Sequence, residues 1–297
     1  MSGPAPEDWP DFLASELSEA ERSEGARFHV LPVPLERTVS YGAGTEGGPL
    51  AILRASQELE RICPGGEGGY EEPARHGVRT LPPHPCEGSI AEVLAALRDR
   101  ARGVAAGEHV PVVLGGEHSL TWAAAMGVRD ARGAIGVVQI DAHADLRVAY
   151  GGEPHSHASV MHLLASEGVP IAQAGVRALC QAERDAREAF GVRHWDGHPL
   201  ARGTAGPLAL PEGFPQDLYV TFDVDGLDPS LMPATGTPVP GGLGFEAALE
   251  VVERLAAGRR IVGLDVVELA PHPAHPQCDF AAAQLAYRLM AIAARGA

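Results

Sequence analysis

The stretch Val137-Val138-Gln139-Ile140-Asp141-Ala142-His143-Ala144-Asp145 decides how the rest of the chain is read. Its β-branched, apolar beginning has the composition of a buried strand. Its end places two carboxylates and an imidazole at alternate positions, and alternate residues of an extended chain face one side. If the strand persists, Asp141, His143 and Asp145 converge; if it stops, they sit at its carboxyl tip. Open α/β sheets bind their ligands at that tip. Oxygen donors mixed with one nitrogen donor suit Mn²⁺ or a similar first-row ion better than a thiolate-preferring one. A lone Asp-x-His-x-Asp is read more simply as a polar loop capping a helix. The other strand ends therefore have to be searched for further donors.

The chain of 297 residues has room for one large α/β domain or two smaller ones. No run approaches the roughly 18 consecutive apolar residues of a membrane span, so no membrane partner is expected. Met1 to Asp8 has neither a basic nor an apolar leader region, which predicts no signal peptide. Cys63, Cys86, Cys180 and Cys278 lie far apart without a C-x-x-C pair. That disfavours a sulfur metal site or a disulfide framework and points to a cytoplasmic protein. A net charge of -16 argues against nucleic acid, whose phosphates need a basic face. It favours a small cationic or neutral substrate.

Residues 1–26 are polar, acidic and Pro-rich at the start, and are expected to form a loosely packed N-terminal extension, with a short helix possible over Asp11 to Arg22. A catalytic domain would then cover 27–297. Arg27 to Leu35 reads as the first strand. Gly42-Ala43-Gly44-Thr45-Glu46-Gly47 matches G-x-G-x-x-G, but lies several residues beyond that strand, whereas a dinucleotide turn is tight. It reads as a Gly-rich loop feeding a helix from Gly48 to Leu59. Residues 61–87 read as an irregular surface excursion. Ser89 caps a helix from Ile90 to Ala106. Strand Val110 to Leu114 runs into Gly115-Gly116-Glu117-His118-Ser119 and a helix from Leu120 to Arg129. Strand Ala134 to Ile140 follows, then a long loop, Asp145 to Ser159.

Helices are read over Val160 to Glu167, Gln181 to Phe190, Phe245 to Ala257 and Phe280 to Ala294. Strands are read over Ile171 to Val176, Val192 to Trp195, Asp217 to Phe222 and Arg260 to Val267, the last ending at Glu268. This alternation predicts one α/β domain: a three-layer αβα stack with a mostly parallel sheet.

Three strands thus end in metal-type donors: His118, then Asp141, His143 and Asp145, then Asp223 and Asp225. A parallel sheet gathers its carboxyl ends on one edge. Six donors are too many for one ion with an open position, but two ions can share bridging carboxylates and activate water. Each piece has a plainer alternative: His118 as a helix cap, Asp223-x-Asp225 and Asp228-Pro229 as turns. Their joint occurrence at three strand ends is what favours a metal centre. No G-x-S-x-G, P-loop or H-E-x-x-H sequence is present, and no cysteine sits in a recognisable nucleophile motif.

Gly115-Gly116-Glu117-His118-Ser119, Asp141-Ala142-His143-Ala144-Asp145, Ser156-His157-Ala158-Ser159 and Asp223-Val224-Asp225-Gly226-Leu227-Asp228-Pro229 resemble, in order, the signatures of the ureohydrolase family, the arginases and agmatinases. Thr235-Gly236-Thr237-Pro238 and Val266-Val267-Glu268 continue the resemblance, and the segment Ser40 to Pro49 looks like the agmatinase branch. The resemblance implies an arginase-like fold, homotrimers or homohexamers, and two Mn²⁺ per subunit. One ion would be held by His118, Asp141, Asp145 and Asp223, the other by His143, Asp141, Asp223 and Asp225. A hydroxide bridging them would attack a guanidinium carbon, giving urea and an amine. Asp145 would handle the proton of that hydroxide, Glu268 would pair with the guanidinium, His157 would protonate the leaving amine, and Thr237 would orient the substrate.

The chain departs from the family's pattern at Glu117, usually Asp, and at Ala158, usually Gly. It departs also at Arg147, where arginases carry an Asn that helps hold the substrate carboxylate. Loss of that Asn argues against arginine. The leading expectation is therefore an agmatinase, converting agmatine to putrescine and urea, with Arg147 turned away and Glu153 or Tyr150 meeting the substrate amine. The alternatives are a guanidino-acid hydrolase, with Arg147 on the carboxylate of a compound such as 4-guanidinobutyrate, or an arginase. An inactive metal-binding homologue is disfavoured by the complete ligand set.

Overall fold

The computed structural model describes residues 9–65 and 68–296. Its centre is an eight-stranded sheet. The strands are β1 (Phe28–Val33), β4 (Val78–Thr80), β5 (Val110–Gly115), β6 (Ile135–Ile140), β7 (Ile171–Ala174), β8 (Arg193–Trp195), β9 (Asp217–Asp223) and β10 (Arg260–Val267). They lie in the order β4-β1-β5-β10-β9-β6-β7-β8, and every neighbouring pair is parallel. Strands β1, β5, β6 and β9 are buried at every residue, which is why their sequences are near-continuous apolar runs rather than alternating ones.

Helices cover both faces. One face packs α1 (Gly48–Ala55), α7 (Phe245–Leu255) and α8 (Pro276–Arg295) over Val112, Val220 and Leu264. The other packs α2 (Ile90–Ala106), α3 (Leu120–Arg132) and α4 (Val160–Ser166) over Val113, Val137 and Tyr219. The short helices α5 (Gln181–Phe190) and α6 (Gly197–Ala201) flank β8. Ser89 and Glu92 close a reciprocal capping box on α2. Gly127 lets α2 and α3 touch: a Cβ there would lie 2.3 Å from the Arg98 carbonyl oxygen. No helix among the described residues is long and apolar enough to cross a membrane.

The segment 9–26 corrects the expectation of a loose extension; the start of that extension, 1–8, lies outside the described residues. Phe12 and Leu13 are fully buried and Leu17 nearly so. The Phe12 amide donates to Thr80 Oγ1 at 2.8 Å and the Leu13 amide to Ser56 Oγ at 2.9 Å. Arg61 ties Glu21 to Glu72. Three apolar side chains dispersed in a polar, acidic stretch are enough to anchor it, and average composition hides them. Asp11 to Arg22 forms turns instead of a helix, with Leu13 in the left-handed region at φ 56°.

Residues 61–87 also hold more than an irregular excursion. They carry a small antiparallel pair, β2 (Cys63–Pro64) with β3 (Tyr70–Glu71), and then the edge strand β4. Helix α8 starts one turn earlier than its apolar pattern suggests, because Pro276 suits the first helical position.

Candidate metal centre

Strands β5, β10, β9 and β6 are consecutive neighbours at the middle of the sheet, so their carboxyl ends deliver side chains to one place. After β5 the chain needs Gly116, where a Cβ would meet the Leu35 carbonyl oxygen at 2.1 Å. This close approach turns His118 inward, where it is 1% exposed. Asp145, after β6, and Glu268, after β10, both adopt left-handed backbone, at φ 52° and 66°. Such conformations cost non-glycine residues on the order of 1 kcal/mol each and persist where the surroundings enforce them.

The six predicted ligands come together. His118 Nδ1 lies 2.9 Å from Asp145 Oδ2, 3.1 Å from Asp141 Oδ2 and 3.5 Å from Asp223 Oδ2. His143 Nδ1 lies 3.0 Å from Asp225 Oδ2 and 3.6 Å from Asp141 Oδ1. Two donor clusters result, His118/Asp141/Asp145 and Asp141/His143/Asp225. Asp141 belongs to both, one oxygen turned to each, as a bridging carboxylate requires. Asp223 faces the first cluster with Oδ2, while its Oδ1 accepts the Asp225 amide at 2.8 Å.

These residues fit a metal pair. His118 Nδ1 is buried without a hydrogen-bond partner, although three carboxylates surround it. Its other nitrogen, Nε2, is 2.8 Å from Thr221 Oγ1, the outer partner that leaves Nδ1 free as a ligand atom. Oxygen and imidazole donors without thiolate match a hard or borderline first-row ion.

Electrostatics support this reading. Burial alone would lower the pKa of His118, but Asp141 and Asp145 outweigh it and hold it well above the ordinary histidine value. His143, against the same burial cost, is raised to about 11 by Asp141 and Asp225. Burial and then the Asp141 charge lift Asp145 to about 7. Burial with Asp225 and Asp141 lifts Asp223 well above the usual carboxylate range. Asp141 itself is held down despite burial, by the two imidazoles. The cluster has more negative charge than it can ionise without cations, and bound divalent ions would reverse these proton preferences.

An outer shell fixes the cradle, and the sequence reading missed it. Gln139 Nε2 donates to Asp141 Oδ2 at 2.7 Å, Gln173 to Gln139, and Arg187 to Gln173. Thr121 and Tyr219 donate to the buried Asp265. The signal was available: a glutamine inside an apolar strand run is out of place unless it holds something.

A cleft of about 450 Å³ opens over the cradle. Its floor carries His118, His143, Asp145, Asp223 and Glu268; Arg147, Tyr150, His157 and Thr237 line its walls. Burial raises the Glu268 carboxyl to about 8, and its Oε1 accepts the His118 amide at 2.6 Å. The Thr237 hydroxyl is 3.4 Å from Asp225 Oδ2. Tyr150 meets His157 edge-on at 5.4 Å, and the Arg147 guanidinium lies 5.7 Å from the Tyr150 ring.

Glu153 corrects an expectation. It does not line the cleft; its carboxylate accepts the His155 amide and pairs with the His155 ring. The competing loop histidines are also occupied elsewhere, His155 against Trp122 and His162 against Phe190. Asp228 serves as a turn, accepting from Ser230, Gly241 and Gly242. The sequence reading did not anticipate Glu183. It is 4% exposed, lines the cleft wall, and accepts the amides of Leu146 and Cys180.

A parallel αβα sheet with a shared-carboxylate His/Asp cradle at its central strand ends, opening into a polar cleft, is the architecture of a metal-dependent hydrolase. The chain belongs to the arginase family, whose model matches residues 26–292; it is a ureohydrolase, acting on guanidino C–N bonds. Among curated relatives, the N(1)-aminopropylagmatine ureohydrolase of Thermus thermophilus is 36% identical over 279 residues, 91% of each chain. An agmatinase of Halalkalibacterium halodurans is 32% identical over 256 residues, 84% of this chain and 85% of that one. The solved agmatine ureohydrolase of Thermoplasma volcanium superposes with a TM-score of 0.82 at 26% identity, covering 96% of this chain and 94% of that one.

Proposed function

We propose that the chain is an agmatine-type ureohydrolase that prefers N1-aminopropylagmatine and also accepts agmatine, using two Mn²⁺. The observation that carries the substrate class is the buried Glu268 carboxylate on the cleft floor, beside both donor clusters. A guanidinium offers it a planar, charge-assisted pair of hydrogen bonds. The aminopropyl tail is favoured by the relatives of that name, which match at 34% to 36% identity against 32% for the agmatinase above. The open mouth and the Glu183 wall give a second cationic nitrogen a place to lie.

The reaction balances as guanidinium plus water giving urea plus an ammonium, so both water protons must end on the leaving nitrogen, which goes from one N–H to three. The Mn²⁺ pair, when bound, supplies Lewis acidity that makes water a nucleophile near neutral pH. Glu268 holds the guanidinium over the cradle. Asp145 accepts one proton from the water and passes it to the leaving nitrogen. His157 delivers one to the departing amine, and Thr237 restrains the head group. Arg147, drawn to the Tyr150 ring, is held at the wall by a cation–π contact. The homotrimer or homohexamer implied by the family resemblance is part of this proposal.

Urea release with Mn²⁺, compared across N1-aminopropylagmatine, agmatine, arginine and 4-guanidinobutyrate, tests it. The expected order of kcat/KM is the first, then agmatine, with the two acids far behind. A lead for 4-guanidinobutyrate would assign Arg147 to a substrate carboxylate and overturn the amine reading. No urea from any of the four would sink the enzyme reading altogether.

A further inference from the structure

We infer that Thr38 and Glu117 together act as a positioning pair that sets which nitrogen of His157 carries the proton. The inference rests on the proposed role of His157 as proton donor.

Thr38 lies in the loop after β1, half-buried. Its hydroxyl donates to Glu117 Oε1 at 2.9 Å. The same oxygen accepts the His157 backbone amide at 3.0 Å and lies 3.2 Å from His157 Nδ1. A hydroxyl has one proton and two acceptor lone pairs. Glu117 is fully buried and faces donors only: the amides of Arg37 and Thr38, and the hydroxyls of Thr38 and Ser119. A carboxylate among such donors can only accept. The Thr38 proton therefore points to Glu117, and the Thr38 oxygen has only lone pairs to offer His157.

Nδ1 must then be the protonated nitrogen of the neutral ring. Nε2, on the opposite edge of the imidazole, keeps its lone pair and is the position that gains and gives up the catalytic proton. A neutral ring in the other tautomer would set lone pair against lone pair at 3.2 Å. The protonated ring keeps the same Nδ1–H donor bond, so Thr38 serves both states without moving.

The other groups that act on this ring are Glu117, His118, His143 and the Thr38 backbone, whose hydrogen bond favours the charged ring and survives replacement of the hydroxyl, and the edge-on Tyr150, with Arg147 beyond it. Burial lowers the His157 pKa, and the Glu117 charge opposes that shift. Replacing the hydroxyl removes an acceptor from the charged ring and lowers the pKa further. A general acid works only while protonated, so activity falls as pH rises through its pKa. In Thr38→Val the alkaline fall in kcat should therefore move to lower pH.

The test uses the full-length protein loaded with diamagnetic Mg²⁺ and ¹⁵N-labelled at histidine, with the His157 signals assigned by their loss in His157→Gln. The wild type should show a protonated Nδ1 and a bare Nε2. Thr38→Val should mix the tautomers, and with Mn²⁺ lower kcat about 10- to 100-fold with KM within about threefold, while Thr38→Ser restores both. Glu117→Gln, which exchanges an acceptor oxygen for a donor, should also mix the tautomers if Thr38→Val fails to fold. An Nε2–H tautomer in the wild type, or wild-type tautomer and pH profile in Thr38→Val, would overturn the inference. Absence of urea formation by the wild type would overturn only the assigned reaction, since the tautomer is read independently.

Discussion

On the cleft floor, Asp141 is held by the Gln139 amide and the His143 backbone N–H, with an imidazole facing each of its oxygens. At the mouth, Arg147 and Tyr150 lie at the surface, and the Tyr150 ring is held between the Arg147 guanidinium and the His157 ring. The floor is over-determined: strand ends, left-handed backbone at Asp145 and Glu268, and a shell of buried polar donors all specify one geometry. The mouth is a loop laid over that floor, free to vary in what it recognises. The difference separates reaction from specificity. A chemistry common to a family resides where the sheet dictates positions, and substrate choice resides where it does not.

The largest effect should come from Asp141→Ala, which removes the carboxylate common to both clusters. Activity should fall by about four orders of magnitude or more, with metal stoichiometry after dialysis collapsing as well. An active variant that keeps its metal would mean that the floor is not over-determined.

A second contrast is with pH. In metal-free protein the carboxyls of Asp145 and Glu268 are raised to about 7 and about 8, and His143 to about 11. All three exceed their unfolded values, so the folded state binds more protons than the unfolded one. Stability must then fall as pH rises through these folded values. Thermal melts of metal-free protein should drop between about pH 6.5 and 8, and added Mn²⁺ should flatten the slope. A melting temperature that rises over that window without metal would contradict the charge distribution of the floor.

The smallest effect should be at the mouth. Arg147→Ala should change kcat by no more than about threefold, yet shift the preference between amine-tailed and acid-tailed guanidines by about 10-fold, about 1.4 kcal/mol. Loss of kcat with no change in preference would place Arg147 with the floor.

The same division governs what the sequence disclosed. The donor residues of the two clusters were legible because strand ends concentrate them at fixed spacing, and the alternating pattern of helices and strands predicted the sheet. Thr38 was not, since a single polar loop residue acquires meaning only from what it touches across the fold, and Gln139 signalled only by its place in an apolar run, without naming the carboxylate it holds. Glu153 was misassigned because proximity in a loop does not reveal which way a side chain turns. Strand β4 was hidden by the Gly- and Pro-rich residues around its short span, and the packing of 9–26 by the polar stretch that carries its three anchors.

The segment 9–26 has a consequence for folding. Phe12 rests 6.4 Å from the ring of Tyr287, and the Arg27 guanidinium donates to the carbonyl oxygens of Ala293 and Ala294. Phe12 and Arg27 thus complete their contacts only when helix α8 has docked, across 266 residues of chain in the case of the Arg27–Ala293 bond. Until then Phe12 lacks part of its cover, and a partly folded chain leaves that apolar surface open. Contacts of such sequence separation slow folding, and they make the last helix the latch of the first strand.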